Sequence, residues 1–575
     1  MTDVKSSLLD GIETIVSDGN EKNIELDSDA EHNKESFADF CKRQMGNVLY
    51  FLMEDWCLSA MLGIITAILS VVMDICIEKL QHSHVAFYEV LRMRCYHHMA
   101  LLHWLLHVVL LTFLSAAACL WISKQAIGSG IPEVKVIMHG FKMKHYLTVR
   151  TLIAKMIGLT LAIGSGLPIG KELFKYLSLG SASTSFQGPF VHMGAIVATV
   201  LSKLINNCQY TEFFANEGRE MEMLSSGCAV GIACTFSAPV GAVLYAIEST
   251  SKYFAVKNYW RAFLAATCSA IIFRFANFFV TAENSGTIMA FYQTSIPTES
   301  FLVEELPIFA LLGLFGGLFA ALFIFTHKKI TLFRQNNRVY KMIFRENFFA
   351  FTVFMALIVG ILTYPEGFGR YIAGELTFRE TMADFFNNCT MHITNTSKQP
   401  CSDKLLQHWT GIASGNQITI FHSLTCYFIT YFFLVAICIS INVPAGVFVP
   451  SFIIGAAGGR LAGEVMAFLF PEGLRGPDGP LIFPGLYAVV GAAAYTGAIT
   501  HTLSVAVIIC ELTGQLTPLL PVLVPFGPVN FSIAMLVGNA VCKFLQPSIY
   551  ESIIRIKKYP YLPDLPPSRI RYSEL

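Results

Sequence analysis

Three glycine-rich segments hold the residues of this chain that could do chemistry. They are Gly128-Ser129-Gly130-Ile131-Pro132, Gly164-Ser165-Gly166-Leu167-Pro168-Ile169-Gly170-Lys171-Glu172 and Gly446-Val447-Phe448-Val449-Pro450. Glycine lets backbone N–H groups approach a ligand closely, and proline is tolerated in the first turn of a helix. Each segment could therefore present a helix N-terminus, with roughly half a positive charge and unpaired N–H donors. That suits an anion held without a fixed cation. A Lys or Arg about 4 Å from the ion would add about 4 kcal/mol at an effective dielectric of about 20, whereas a conducted ion must leave as readily as it enters. The hydroxyls of Ser129 and Tyr550 are candidate neutral donors.

Nucleotide readings of the second segment fail. A phosphate loop ending at Gly170-Lys171 needs Gly at 165 and Ser or Thr at 172, where Ser165 and Glu172 stand. The dinucleotide fingerprint needs Gly at 169, where Ile169 stands. No HExxH, GxSxG or paired aspartate lies in an apolar segment, so an enzyme is not expected. The 15 Cys form no CxxC and no Cys/His cluster at ligand spacing, so no metal site is expected, and His103, His107 and His192 read as packing or interfacial residues.

The elements that must position these segments are membrane-spanning. Apolar residues make up 54% of the 575 and charged ones only 14%, against about 25% charged in soluble domains. Forty basic residues balance forty acidic ones, which gives no support to a nucleic-acid partner. Uncharged runs at 101–123, 223–247, 307–326, 347–365 and 418–446 meet the roughly 20 residues a span needs. The run 479–510 is too long for one upright helix and is expected as two tilted or broken ones. Backbone breaks at the Gly/Pro clusters cannot face lipid and should line an enclosed cavity. Paired breaks in two halves of a chain point to a transporter-like site on inverted repeats, although the same Gly and Pro also suit close helix packing. The expected fold from these runs is an all-α polytopic membrane protein of tilted and broken helices, with inverted repeats and close packing both open.

Residues 1–36 carry ten acidic and three basic residues, and residues 1–45 read as a disordered acidic cytoplasmic tail with no cleavable signal. The transmembrane region is expected at 46–556 and a short cytoplasmic tail at 557–575. Basic residues before the first span and at 555–558 place both ends on the cytoplasmic side. Opposite them lies a polar segment with the sequons of Asn388 and Asn395 and with Cys389 and Cys401, for which bridged and free forms stand open.

These motifs, GSGIPEVK, GSGLPIGKE followed by GPFVH, GVFVP and QPSIYES in this order, resemble the signatures of CLC chloride channels and chloride/proton exchangers over residues 54–563. PYLPDL and the GKE form are similar to the animal plasma-membrane channel branch. The resemblance implies a homodimer in the lipid bilayer with one chloride pathway per subunit, each built from two inverted-repeat halves, and no cofactor. It implies a central chloride held by Ser129, Tyr550 and the amides of Val447 and Phe448, within a selectivity motif of Gly128, Gly130, Ile131, Pro132, Gly170, Lys171, Gly188, Pro189, Gly446 and Pro450. Lys171 and Lys557 match positive vestibule positions, and the GKE glutamate matches a gate that competes with chloride until protonated or moved. Exchangers carry an inner proton-relaying glutamate at a position that here is Ser249, which favours passive conduction; Glu248 beside it reads as a helix-end residue.

The chain departs from this pattern in three ways. Fifteen residues, 173–187, separate Glu172 from Gly188 and leave Gln187 directly before GPFVH. The gate is then Glu172 or a permanently neutral Gln187, or conduction is lost. A second insertion, 524–532, places Pro525, Gly527 and Pro528 where a spanning helix is expected. Both insertions end on residues whose codons could encode a splice acceptor, which suggests retained introns or alternative exons and, with them, a non-conducting or regulatory isoform able to pair with a full-length subunit. The chain ends at Leu575, without the two CBS modules of the animal branch, so no nucleotide is expected as a partner.

Overall fold

A computed structural model describes residues 41–46, 56–94, 96–168, 187–207, 217–251, 258–281, 303–344, 347–372, 376, 378–392, 400–410, 418–476, 481–514 and 529–560. Residues 1–55 form a unit separate from 56–575, and of the first unit only a short helix at 41–46 is described. Of the expected disordered tail at 1–45, residues 41–45 belong to that helix, whereas 1–40, both gate candidates' surroundings at 169–186, Asn395 and the tail beyond 560 lie outside the described residues.

The second unit is helical throughout its described residues. Its first half contains α1 (Leu58–Met93), α2 (His97–Trp121), α3 (Ile131–Met138), α4 (Val149–Gly164), α5 (Gln187–Asn207), α6 (Glu217–Phe236), α7 (Pro239–Thr250) and α8 (Tyr259–Thr281). Its second half contains α9 (Leu306–Asn336), α10 (Arg338–Phe344), α11 (Ala350–Thr363), α12 (Phe378–Phe386), α13 (Asp403–Thr410), α14 (Ile420–Cys438), α15 (Phe448–Leu469), α16 (Pro484–Thr500), α17 (Val505–Thr513), α18 (Val529–Leu545) and α19 (Ile549–Lys557). Among the described residues, five helices, α1, α2, α9, α14 and α15, are long and apolar enough to cross a membrane.

The halves repeat one packing scheme. In the first, α5 lies against α6, α1 against α8, and α6 against α7 and α8; in the second, α15 lies against α16, α9 against α18, and α16 against α17 and α18. Glycines make both central pairs possible. A Cβ on Gly194 of α5 would stand 2.1 Å from the carbonyl oxygen of Gly227, and one on Gly455 of α15 would stand 2.6 Å from that of Gly491. Lipid offers no hydrophobic drive between helices, so this close backbone approach is what holds them.

The inversion of the halves is visible where α7 meets α17. Glu248, near the end of α7, accepts from the amides of Leu503 and Ser504 at 2.8–2.9 Å and from the Ser504 hydroxyl at 2.7 Å, which caps the start of α17. Glu511, near the end of α17, accepts from the amides of Val240 at 3.2 Å and Gly241 at 2.9 Å, which caps the start of α7. Two antiparallel helices thus lend each other the carboxylate that their orphan N–H groups need. Glu248 is the helix-end residue expected, with its partner helix now identified.

Two expected spans are interrupted. The run 223–247 is two helices, broken where Ser237 adopts a positive φ of 50° ahead of Pro239. The run 479–510 divides as expected, at His501 with φ 58°. Residues 529–532 of the second insertion form the first turn of α18, while 524–528 lie outside the described residues. Cys389 and Cys401 are bridged, with a Cα–Cα distance of 4.9 Å. That loop is tied to α15 by buried Arg460, which donates to the carbonyls of Phe385 (2.9 Å), Asn387 and Cys389 (2.6 Å) and pairs with Glu464 at 3.0 Å. Asn388 is half-buried there.

Gly194→Leu should wedge α5 from α6 against a backbone oxygen that cannot yield, costing at least about 3 kcal/mol. Gly316→Ala on α9, whose new Cβ would meet nothing nearer than 3.7 Å, should be neutral or gain up to about 1 kcal/mol in helix propensity. Thermal unfolding in detergent, followed by size-exclusion chromatography, separates the two, and equal melting temperatures would contradict this packing.

Candidate anion site

The site begins with two left-handed glycines. Gly128 (φ 84°) and Gly130 (φ 87°) turn the chain into α3, and a Cβ on Gly130 would come within 2.6 Å of the Cβ of His192. Glycine is therefore required at 130 for its backbone and for its lack of a side chain. The Gly128 amide donates to the Val443 carbonyl at 3.2 Å, which joins the first glycine-rich segment to the chain entering the third. Gly130 and Val447 stand at the N-cap positions of α3 and α15, with Ile131 and Pro132 in the first turn of α3 and Phe448 and Pro450 in that of α15.

Behind this turn lies a residue that the sequence reading missed. Lys155 of α4 is fully buried, and its ammonium donates to the carbonyls of Gly128 at 3.0 Å and Ser129 at 3.2 Å. It also meets His192 Nδ1 at 3.1 Å. An ammonium has only donors, so Nδ1 accepts and the ring proton sits on Nε2. His192 is the histidine of GPFVH on α5, with its ring stacked on Tyr146 at 4.2 Å. One cation thus ties the first segment to the helix that follows the second. The expectation of a site with no fixed cation is corrected: a cation is present, but it grips the carbonyl side of the turn. A signal was available, since Lys155 is the one charge in the apolar run 151–168, and an ionisable residue inside a span marks a functional site by default.

The Ser129 hydroxyl is buried and has no hydrogen-bond partner among the described residues. A buried O–H without a partner costs about 1–3 kcal/mol, so its orientation calls for a ligand. Tyr550, 1% exposed, shares a hydrogen bond of 3.0 Å with the Tyr245 hydroxyl. The Tyr245 ring meets Phe448 edge-on, with centroids 5.5 Å apart. Tyr550, Tyr245 and the start of α15 are therefore one contact chain, and α19 packs on α3, which carries Ser129 at its entrance. Tyr245 was not singled out in the sequence, because GAVLYAIES reads as an ordinary apolar helix.

The remaining expected residues fall as follows. Pro189 is buried in the first turn of α5, and Gln187 and Gly188 open that helix, with their side chains outside the described residues. Gly170, Lys171 and Glu172 lie outside the described residues. Gly446 lies in the buried approach to α15. Ser249 is 3% exposed, and its hydroxyl has no partner among the described residues. Lys557, expected as a vestibule cation, is paired with buried Glu133 in the first turn of α3, so its charge cancels a carboxylate that would otherwise repel an anion from that N-terminus. His103 and His107 are not simple packing residues, since both hydrogen-bond. No group of three metal-ligating side chains is found among the described residues.

A family model described as voltage gated chloride channel matches residues 111–527. Chloride channel protein clh-3 of Caenorhabditis elegans is 45% identical over 537 residues, covering 91% of this chain and 51% of its own. Human chloride channel protein 2 is 40% identical over 515 residues, covering 89% of this chain and 54% of its own. The chain thus spans about half the length of these relatives. The crystal structure of a eukaryotic CLC transporter is similar at TM-score 0.66 and 28% identity, over 88% of this chain and 75% of that one. A slow cyanobacterial Cl⁻/H⁺ antiporter shares the fold at TM-score 0.64 and 18% identity, over 88% of this chain and 97% of that one.

Lys155→Met should leave two carbonyls and a histidine nitrogen without their donor, at about 1.5–3 kcal/mol for each bond to the charge. The expected result is a lower melting temperature together with loss of halide-dependent stabilisation. A variant that melts and responds to halide like the parent would contradict the role given to this ammonium.

Proposed function

Because the chain belongs to the voltage-gated chloride channel family, we propose that it conducts chloride passively across the membrane, under a glutamate-type gate supplied by Glu172 or replaced by Gln187. The observation that carries the reading is the hydroxyl of Ser129 at the entrance of α3, buried without a partner among the described residues. Chloride there accepts from Ser129 and from Tyr550, whose proton is free when Tyr245 donates to it, while the amides of Val447 and Phe448 supply the positive end of α15. These donors are neutral, and the charge of Lys155 reaches the ion only from behind two carbonyl dipoles, so the ion is held and released.

Ser249 favours a channel over a chloride/proton exchanger, because a serine hydroxyl does not titrate near neutral pH and cannot relay protons as a carboxylate does. The protein works as a homodimer in the plasma membrane, with both ends cytoplasmic. The second reading, a non-conducting or regulatory isoform that pairs with a longer subunit, draws its support from the fifteen residues between Glu172 and Gly188. They separate the gate from the helix that it should open.

Voltage clamp of cells expressing the chain, beside a form lacking 173–187 and 524–532, tests both readings. A current from the chain itself, with a reversal potential that follows the chloride gradient and ignores a pH gradient, is expected. A reversal potential that moves with pH would make it an exchanger. Current only from the shortened form, with altered current when the two are co-expressed, would make it a regulator.

A further inference from the structure

The end of α4 is where the chain leaves for the gate motif, and side chains from two neighbouring helices grip it. Gln81 Nε2 of α1 donates to the Ile163 carbonyl at 3.2 Å. His107 Nε2 of α2 bonds the Gly164 carbonyl at 2.9 Å. Thr112 Oγ1 of α2 donates to the Ser165 hydroxyl at 3.2 Å. The last carbonyls of a helix have no partner within it. Gly166, at φ 79°, uses its amide on Ile163 and then turns the chain away. The Gly164 carbonyl thus depends on His107, and the direction in which residues 165–168 depart depends on that bond.

His107 does not stand alone. Its ring is stacked on His84 with centroids 3.8 Å apart and planes 14° from parallel, and His84 Nδ1 meets His103 Nε2 at 3.2 Å. We propose that His107, backed by His84 and His103, is a positioning residue for residues 164–168, and that conduction depends on the bond it makes to the Gly164 carbonyl. The proposal rests on the channel reading above.

The chemistry follows from the contacts. A neutral His107 donates from Nε2 to the Gly164 carbonyl, and the stacked His84 ring fixes the plane from which it does so. The titratable groups facing His84 are His103 and His107, both from α2. The facing part of α4 offers backbone and the Ser165 hydroxyl, and the sequence of α11 contains no titratable side chain. Arg92, His97 and Glu366, linked at 3.1–3.4 Å, form a separate cluster, screened from His84 by the rings of Tyr88 and Trp104.

The test combines chloride flux from proteoliposomes at pH 5.5 to 8 with hydrogen exchange of the amides of residues 159–168. His107→Leu, which cannot donate, should cut flux at least about fivefold and speed that exchange at least about tenfold. His107→Gln, which keeps a donor, should recover both to within about twofold. His84→Phe, which keeps a stacked ring behind His107, should leave both within about twofold. Unchanged exchange in His107→Leu or equal damage in His107→Gln would each overturn the proposal. If the parent chain carries no flux at any pH, the channel reading fails, and the exchange data still decide whether His107 holds the end of α4.

Discussion

The arrangement depends on one buried ammonium. Lys155 is enclosed in apolar surroundings, where an unpaired charge would be costly, and the carbonyls of Gly128 and Ser129 with His192 Nδ1 offset that cost. The same bonds hold the turn at 128–130 and fix α5 against the start of α3. On the proposed reading, an anion at this turn meets neutral donors, and the lysine acts on it only through the backbone that it holds. The Glu133–Lys557 pair follows the same economy, removing a negative charge from the first turn of α3 without adding a free positive one.

Around this centre, the scaffold is built from backbone contact more than from side-chain bulk. Glycine pairs bring α5 to α6 and α15 to α16, and the exchange of Glu248 and Glu511 between α7 and α17 closes the two halves on each other. Tyr245, on α7 between those two caps, links Tyr550 to the ring of Phe448.

Much of the fold was legible in the sequence. Long uncharged runs gave the membrane class, while the Gly/Pro breaks suited inverted halves and close packing alike until the motif resemblance favoured the former. Break positions were less legible: 223–247 is uncharged yet divides at Ser237, since a run's hydropathy is unaffected by one residue in a left-handed conformation. At the site, motifs named Ser129, Val447, Phe448 and Tyr550, whose role in holding an anion is the proposal made above. Those defined only by tertiary contact, Tyr245 and the partners of Glu248 and Lys557, were not named, because their meaning comes from residues far away in the chain. Lys155 lay between these cases, as a lone charge in an apolar helix whose partners the sequence could not supply.

On the proposed reading, the turn at 128–130, held from behind by Lys155, presents a halide site at Ser129. Anomalous diffraction from crystals grown in bromide tests it most directly. The account predicts a bromide peak within hydrogen-bond reach of the Ser129 hydroxyl, in front of the starts of α3 and α15. Peaks found only elsewhere in a well-ordered map would contradict it.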